Sequence, residues 1–203
     1  MFSSDTAQKE MLDAALRMAV IAEYREGNNA NHIERMRGYA QALARGLGLT
    51  NREVQIIATA CQLHDIGKVG IPEALLLKTG DFTPKEWEII KRHTIVGADL
   101  LKGSVSPFLQ AGEAVCLTHH ERWDGSGYPN ALRGEDIPLG GRICAVADVF
   151  DALTTPRLYK KEISVEDARR LIVDAGGNLF DPKIVEIFNE VFDEILKVRK
   201  TRS

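Results

Sequence analysis

Residues 50–72 read TNREVQIIATACQLHDIGKVGIP. Thr50 followed by Glu53 is a capping box: the threonine side chain accepts from the third helical amide while the glutamate reaches back to the cap, so a helix is predicted from about residue 51. Val54, Ile57, Ala58 and Cys61 recur at helical spacing and give that helix one apolar face. His64 and Asp65 continue the same apolar helix, where an imidazole and a carboxylate are costly to bury unless something binds them. A second dyad, His119-His120, sits in LTHHERWDGSGYP, residues 117–129. Neighbours on a helix point about 100° apart, so its two rings cannot share one partner. Two metal ions would satisfy both dyads.

Working outward, the helix starts are legible. Thr83-Pro84 with Glu86 is a second capping box, and Ser106-Pro107 and Asp181-Pro182 repeat the cap-plus-proline device, giving starts near 84, 107 and 182. Further helices fit residues 5–24, 31–46, 139–153 and 164–175. No alternating run supports a strand, and Val69 to Ile71 is short enough to be a turn. The expected fold is therefore all-α, a single helical bundle with one long Gly/Pro-rich loop from Gly125 to Gly141; loops of that length tend to be functional. Residues 1–24 are set apart as an N-terminal helix, a linker or dimerisation element ahead of a domain over 25–203.

Composition narrows the function. A 203-residue chain, 44% hydrophobic and 27% charged with a net charge of −3, has no basic surface for coating a DNA or RNA polymer and no apolar run long enough for a membrane span. The opening MFSSDTAQKE lacks a basic flank followed by an apolar stretch, and Cys61, Cys116 and Cys144 have no paired spacing, so a reducing, cytoplasmic location is expected. Each cysteine lies three or four residues before a polar candidate (His64, His119, Asp148), where a small soft side chain packs beneath a site.

The five histidines, His32, His64, His93, His119 and His120, together with Asp65 and with Asp148 in the apolar run ICAVADVF, form a ligand set of imidazoles and carboxylates without thiolate. Such a set suits octahedral first-row ions, iron or manganese. A carboxylate such as Asp65 can bridge two ions; at about 3.5–4 Å apart they can share a hydroxide and steady both attacking and leaving oxygens of a phosphoryl displacement.

NHIERM at His32, LHDIGKVGIP at His64, KRHTIVGADLL at His93, THHERWDGSGYP, and GRICAVADVFDALTTPRLYKK follow one another in order. Over roughly residues 22–190 the chain resembles the HD-GYP domain, the branch of the HD superfamily that hydrolyses cyclic di-GMP. The resemblance implies a phosphodiesterase giving linear pGpG and, after a second cut, GMP. It assigns His32, His64, Asp65, His93, His119, His120 and Asp148 as metal ligands, Asp65 as the bridge, and Lys68 as a catalytic cation aimed at the scissile phosphate. It places Asp151, Arg157, Tyr159 and Lys160 near the substrate, with Asp151 alternatively orienting a ligand. Gly127, Tyr128 and Pro129 form the name-giving loop, expected to shape the site and to contact signalling partners. Family members holding three metals carry a Glu where this chain has Asn28, a neutral and weaker ligand, so two ions are expected. Cyclic GMP-AMP as substrate, a cyclic di-GMP sensor without turnover, and a homodimer through the first helix complete the expectations.

Overall fold

In the computed structural model, residues 4–26, 30–156 and 162–201 are described. Asn28, Arg157, Tyr159 and Lys160 lie outside them. The chain runs through α1 (Ser4–Tyr24), α2 (Ala30–Gly46), α3 (Asn51–Cys61), a 3-10 turn (Ile66–Gly70), the single turn α4 (Glu73–Leu76), α5 (Pro84–Lys91), α6 (His93–Leu101), α7 (Pro107–Thr118), α8 (Leu139–Thr154), α9 (Val165–Asp174), α10 (Pro182–Glu190) and α11 (Phe192–Thr201). Among the described residues the only β-type pairing is one bridge between Gly176 and Phe180. The fold is all-α, as the periodicity implied.

Both capping boxes form, with Thr50 and Thr83 accepting from the amides of Glu53 and Glu86. Asp181 caps α10 through the Lys183 amide, whereas Ser106 occupies the cap of α7 without a side-chain bond and leaves Pro107 to set the start. The helical path is interrupted at Arg92 between α5 and α6 and at Val191 between α10 and α11. Arg92 keeps a helical conformation (φ −63°, ψ −16°), so the turn there costs little and carries no glycine or proline to announce it.

The bundle has two apolar centres. The larger joins α2, α3, α8, α9, α10 and α11 through residues such as Tyr39, Leu43, Phe150, Ile184 and Phe188. The smaller joins α1, α6 and α7 through Ala15, Ala19, Leu101, Leu109 and Cys116, with Leu63 and Ile66 from the segment after α3. The His64-Asp65 pair therefore sits where the two centres meet. Helix α1 is packed into the smaller centre, and just beyond it Arg25 donates from Nη1 and Nη2 to the carbonyls of Lys68, Val69 and Ile71 at 2.6–2.8 Å.

The 3-10 turn comes up against α6 backbone to backbone. A Cβ on Gly67 would stand 1.9 Å from the carbonyl oxygen of His93 and 2.4 Å from the amide nitrogen of Gly97. Only glycine permits that approach, and the approach brings Asp65 to His93. Gly67→Ala is expected to cost about 3 kcal/mol or more, because backbone on both sides cannot yield as a side chain would. Urea denaturation of the metal-free protein measures it, and a loss under 1 kcal/mol would show that the turn can shift.

Candidate metal centre

Helix ends deliver the histidines. Carbonyls in the last turn of a helix keep acceptor capacity, and three rings use them. His64 Nδ1 donates to the Cys61 carbonyl at 2.9 Å, His93 Nδ1 to that of Ile90 at 2.7 Å, and His119 Nδ1 to those of Val115 and Cys116 at 3.0 and 3.1 Å. The expectation that both dyads lie within helices is corrected here: His64-Asp65 and His119-His120 stand past the ends of α3 and α7, where last-turn carbonyls orient the His64 and His119 rings. When the ring is neutral, an Nδ1–H held by a carbonyl leaves Nε2 as a bare lone pair, the tautomer a metal ligand needs. His32, on α2, is oriented differently, with Nδ1 donating to Asp151 Oδ2 at 2.8 Å.

Those Nε2 atoms converge. Asp65, His93, His119 and His120 form one group of ligand atoms and His32, His64 and Asp148 a second, each with its atoms within 4.8 Å of one another. Asp65 joins them: Oδ1 lies 3.2 Å from His93 Nε2 and 3.6 Å from His119 Nε2, while Oδ2 lies 3.1 Å from His64 Nε2. His64 Nε2 is 3.9 Å from Asp148 Oδ1.

The residues fit a bound cation on three observations. His64 Nε2 and Asp65 Oδ1 are buried without a hydrogen bond, which is expensive for a polar atom. The Nε2 atoms of His93 and His119 face each other at 3.3 Å, with both Nδ1 protons committed elsewhere, so two lone pairs oppose one another. The donors are imidazole and carboxylate throughout, and the three thiols are buried and free. Cys116 Sγ donates to the Leu63 carbonyl at 3.2 Å, and burial pushes its thiol well up; it packs beneath the site. Two such groups meeting at Asp65 are consistent with a binuclear metal site.

The charges are coupled. Burial opposes a proton on His64, but the carboxylates of Asp65 and Asp148 prevail and push it up to about 10. At His93 burial wins and pulls it down to about 4, and His120, buried beside His119 and His93, falls well below its ordinary range. Burial opposes the Asp65 carboxylate too, yet Lys68 and His64 hold it low. A ligand must be deprotonated before it can coordinate. Manganese(II) uptake near pH 7.5 is therefore expected to release about one proton, from His64, and to weaken as pH falls. Calorimetry in two buffers of different ionisation enthalpy reads that number, and equal heats in both would refute it.

Lys68 is not free. Its Nζ lies 2.6 Å from Asp65 Oδ2 and 2.6 Å from Glu26 Oε2, at the border of the Asp65 group. Asp151 is fully buried and its carboxylate is engaged: Arg35 donates from Nε to Oδ1 at 2.6 Å and from Nη2 to Oδ2 at 2.9 Å, and His32 adds the third bond. Of the two roles expected for Asp151, orienting a ligand matches this geometry, since little acceptor capacity is left for substrate. Burial works against its charge, but Arg35 and His32 hold the carboxyl far below the usual range.

Arg35 was not singled out from sequence, although it lies three residues after His32, on a neighbouring turn of α2. Nor was Glu121, which is buried and accepts the amides of Asn130 and Leu132 at 2.7 and 3.1 Å, tying down the loop after α7. Within that loop Tyr128 meets His120 and Trp87.

An HD domain family model matches residues 16–184. A cyclic di-GMP phosphodiesterase of Thermotoga maritima is 45% identical over 179 residues, covering 88% of this chain and 49% of that protein. A 3'3'-cGAMP-specific phosphodiesterase of Vibrio cholerae is 41% identical over 182 residues, covering 90% and 35%. The solved structure of a cyclic GMP-AMP specific phosphodiesterase of V. cholerae superposes with a TM-score of 0.69 at 23% identity, covering 92% of this chain and 50% of the other, a likeness of fold. The chain belongs to the HD domain family. It spans about half the length, or less, of these curated relatives, and no described helix is long and apolar enough to cross a membrane.

Proposed function

We propose that this chain is a metal-dependent phosphodiesterase acting on a cyclic dinucleotide, with cyclic di-GMP as substrate and linear pGpG as the first product. The observation that carries the proposal is the pair of ligand groups joined at Asp65, with the partly buried ammonium of Lys68 on the same carboxylate. His32, His64 and Asp148 would hold one divalent ion and His93, His119 and His120 the other, with Asp65 shared; iron or manganese suits those donors. The ions would supply Lewis-acid activation of water and charge neutralisation on the phosphate. The chain's own part is positional and electrostatic. Carbonyls at three helix ends and Asp151 fix four of the five ligand rings, Asp65 is held ionised between Lys68 and the histidines, and Lys68 presents a cation to charge developing on phosphoryl oxygen.

Cyclic di-GMP is favoured by the relative at 45% identity that carries that activity in its name. A mixed guanine-adenine ring is the second reading, because a relative at 41% is named for it. The test is anaerobic incubation of the manganese- or iron-loaded protein with each cyclic dinucleotide, nucleotides being resolved by chromatography and metal counted in the same sample. Linear pGpG from cyclic di-GMP with two ions per chain is expected. Cleavage of cyclic GMP-AMP alone would replace the substrate. No cleavage of either by the two-ion protein would overturn the enzymatic reading in favour of a sensor.

A further inference from the structure

Four of the five clustered histidines have their second ring nitrogen tethered: His64, His93 and His119 to backbone carbonyls and His32 to Asp151. His120 is the exception. Its ring makes no hydrogen bond to any described residue, although it belongs to the same ligand group as His93 and His119. An imidazole turns about its Cβ–Cγ bond through a broad, shallow well, so something else must fix its plane if Nε2 or Nδ1 is to point at a shared ion.

What lies against it is Tyr128. The phenol ring stacks on the His120 ring with centroids 4.7 Å apart and planes 24° from parallel. The backbone is tied as well, the Tyr128 amide donating to the His120 carbonyl at 3.2 Å. Gly127 makes this approach possible, since a Cβ there would stand 2.4 Å from the Arg122 amide nitrogen and 2.6 Å from the His120 carbonyl oxygen. The outer side of the phenol is closed by Trp87 of α5, edge-on at 6.0 Å, with Lys91 over the ring at 5.7 Å. On its other sides His120 meets His119 at 4.1 Å and His93 at 5.1 Å. The Tyr128 hydroxyl hydrogen-bonds to no described residue, so its ring face is what the site uses.

We propose that Tyr128 is the positioning residue for His120: its stacked ring does for this ligand what a hydrogen-bond acceptor does for the other four. A flat ring against one face blocks the sweep of the imidazole about Cβ–Cγ and leaves the in-plane lone pair directed at the His93, His119 and Asp65 atoms. A partner that displaced the loop at Gly127-Tyr128-Pro129 would thereby loosen one ligand of one ion and leave the other ion's set intact.

The inference rests on reading the two ligand groups as metal sites and is independent of which nucleotide is cleaved. Manganese(II) alone is the probe, titrated calorimetrically into the full chain. The unaltered protein is expected to bind two ions, and Tyr128→Phe, which keeps the ring, to do so with closely similar affinity. Tyr128→Leu is expected to weaken one ion about tenfold to a hundredfold, the scale of losing a ligand's orienting partner, and to leave the other unchanged. In a His120→Ala background the same Tyr128→Leu change is expected to add little, because its route through the ring is gone. Melting without metal checks that the variant folds. If it does not, Tyr128→Met, close in size but without a plane, takes its place.

Two ions bound by Tyr128→Leu at unaltered affinity would overturn the proposal, as would an equal loss in Tyr128→Phe or full additivity with His120→Ala. An unaltered protein that binds no manganese would remove the metal reading itself, and the positioning role with it.

Discussion

Replacing both His64 and Asp65 by alanine is expected to abolish metal binding and phosphodiester hydrolysis together, with turnover reduced by at least about a thousandfold, equivalent to ~4 kcal/mol of transition-state stabilisation. The reason is the shared carboxylate. Asp65 faces His93 and His119 through one oxygen and His64 through the other, so its loss takes a donor from each group, and losing His64 leaves the second group with His32 and Asp148 alone. Asp65→Asn isolates the charge from the size, since an amide nitrogen is a donor of hydrogen bonds and not a metal ligand. It too is expected to lose the ions. Metal per chain, counted after anaerobic desalting, and nucleotide turnover are read on the same samples, with melting in chelator to show that the variants fold. Hydrolysis retained in the double variant would sink the two-metal reading.

That prediction could be framed from sequence because ligand identity and order along the chain are local properties. Capping boxes at Thr50 and Thr83 and the proline-led start at Pro182 mark helix beginnings by their own chemistry, and the structure has helices there. Helix endings are less audible. The break at Arg92 falls in a run without glycine or proline, and the His-bearing turns after α3 and α7 continue the apolar pattern of the helices before them. That ending is what supplies the orienting carbonyls, so the feature that directs the His64 and His119 rings is the one periodicity conceals. Pairings across the fold are hidden altogether. Nothing in the sequence couples Arg35 to Asp151, 116 residues apart, or Arg25 to the carbonyls after Asp65. The surroundings of Tyr128 were similarly out of reach: the nearby aromatic in sequence is Trp123, whereas in space the phenol stacks on His120 and meets Trp87 of α5 edge-on.

Lys68→Met is expected to keep both ions and to lower kcat by about a hundredfold to a thousandfold, the range for removing one preorganised electrostatic donor, while KM changes little. Methionine preserves most of the aliphatic stem, so the turn between Asp65 and Gly70 is left packed. Lys68 touches the ligand Asp65 without being a ligand, which is why metal content and rate should separate here, in contrast to the His64 and Asp65 changes. Its surroundings favour the charged form. Burial disfavours an ammonium, but Asp65 and Glu26 more than offset it and hold the Lys68 pKa well above the ordinary lysine value, so its expected part is that of a fixed charge. A cation of that kind stabilises charge without adding a limb to the pH-rate profile. The variant's kcat is therefore expected to fall by the same factor at every pH, its profile keeping the shape of the unaltered enzyme's. If instead one limb vanished, Lys68 would be acting as an acid, and if the ions were lost along with the rate, its main task would be to hold Asp65 in place. The short contacts to both carboxylates bear on the same choice: an ammonium fixed from two sides is already oriented before substrate arrives, and such preorganisation is what makes a single charge worth several kcal/mol in a site shielded from water.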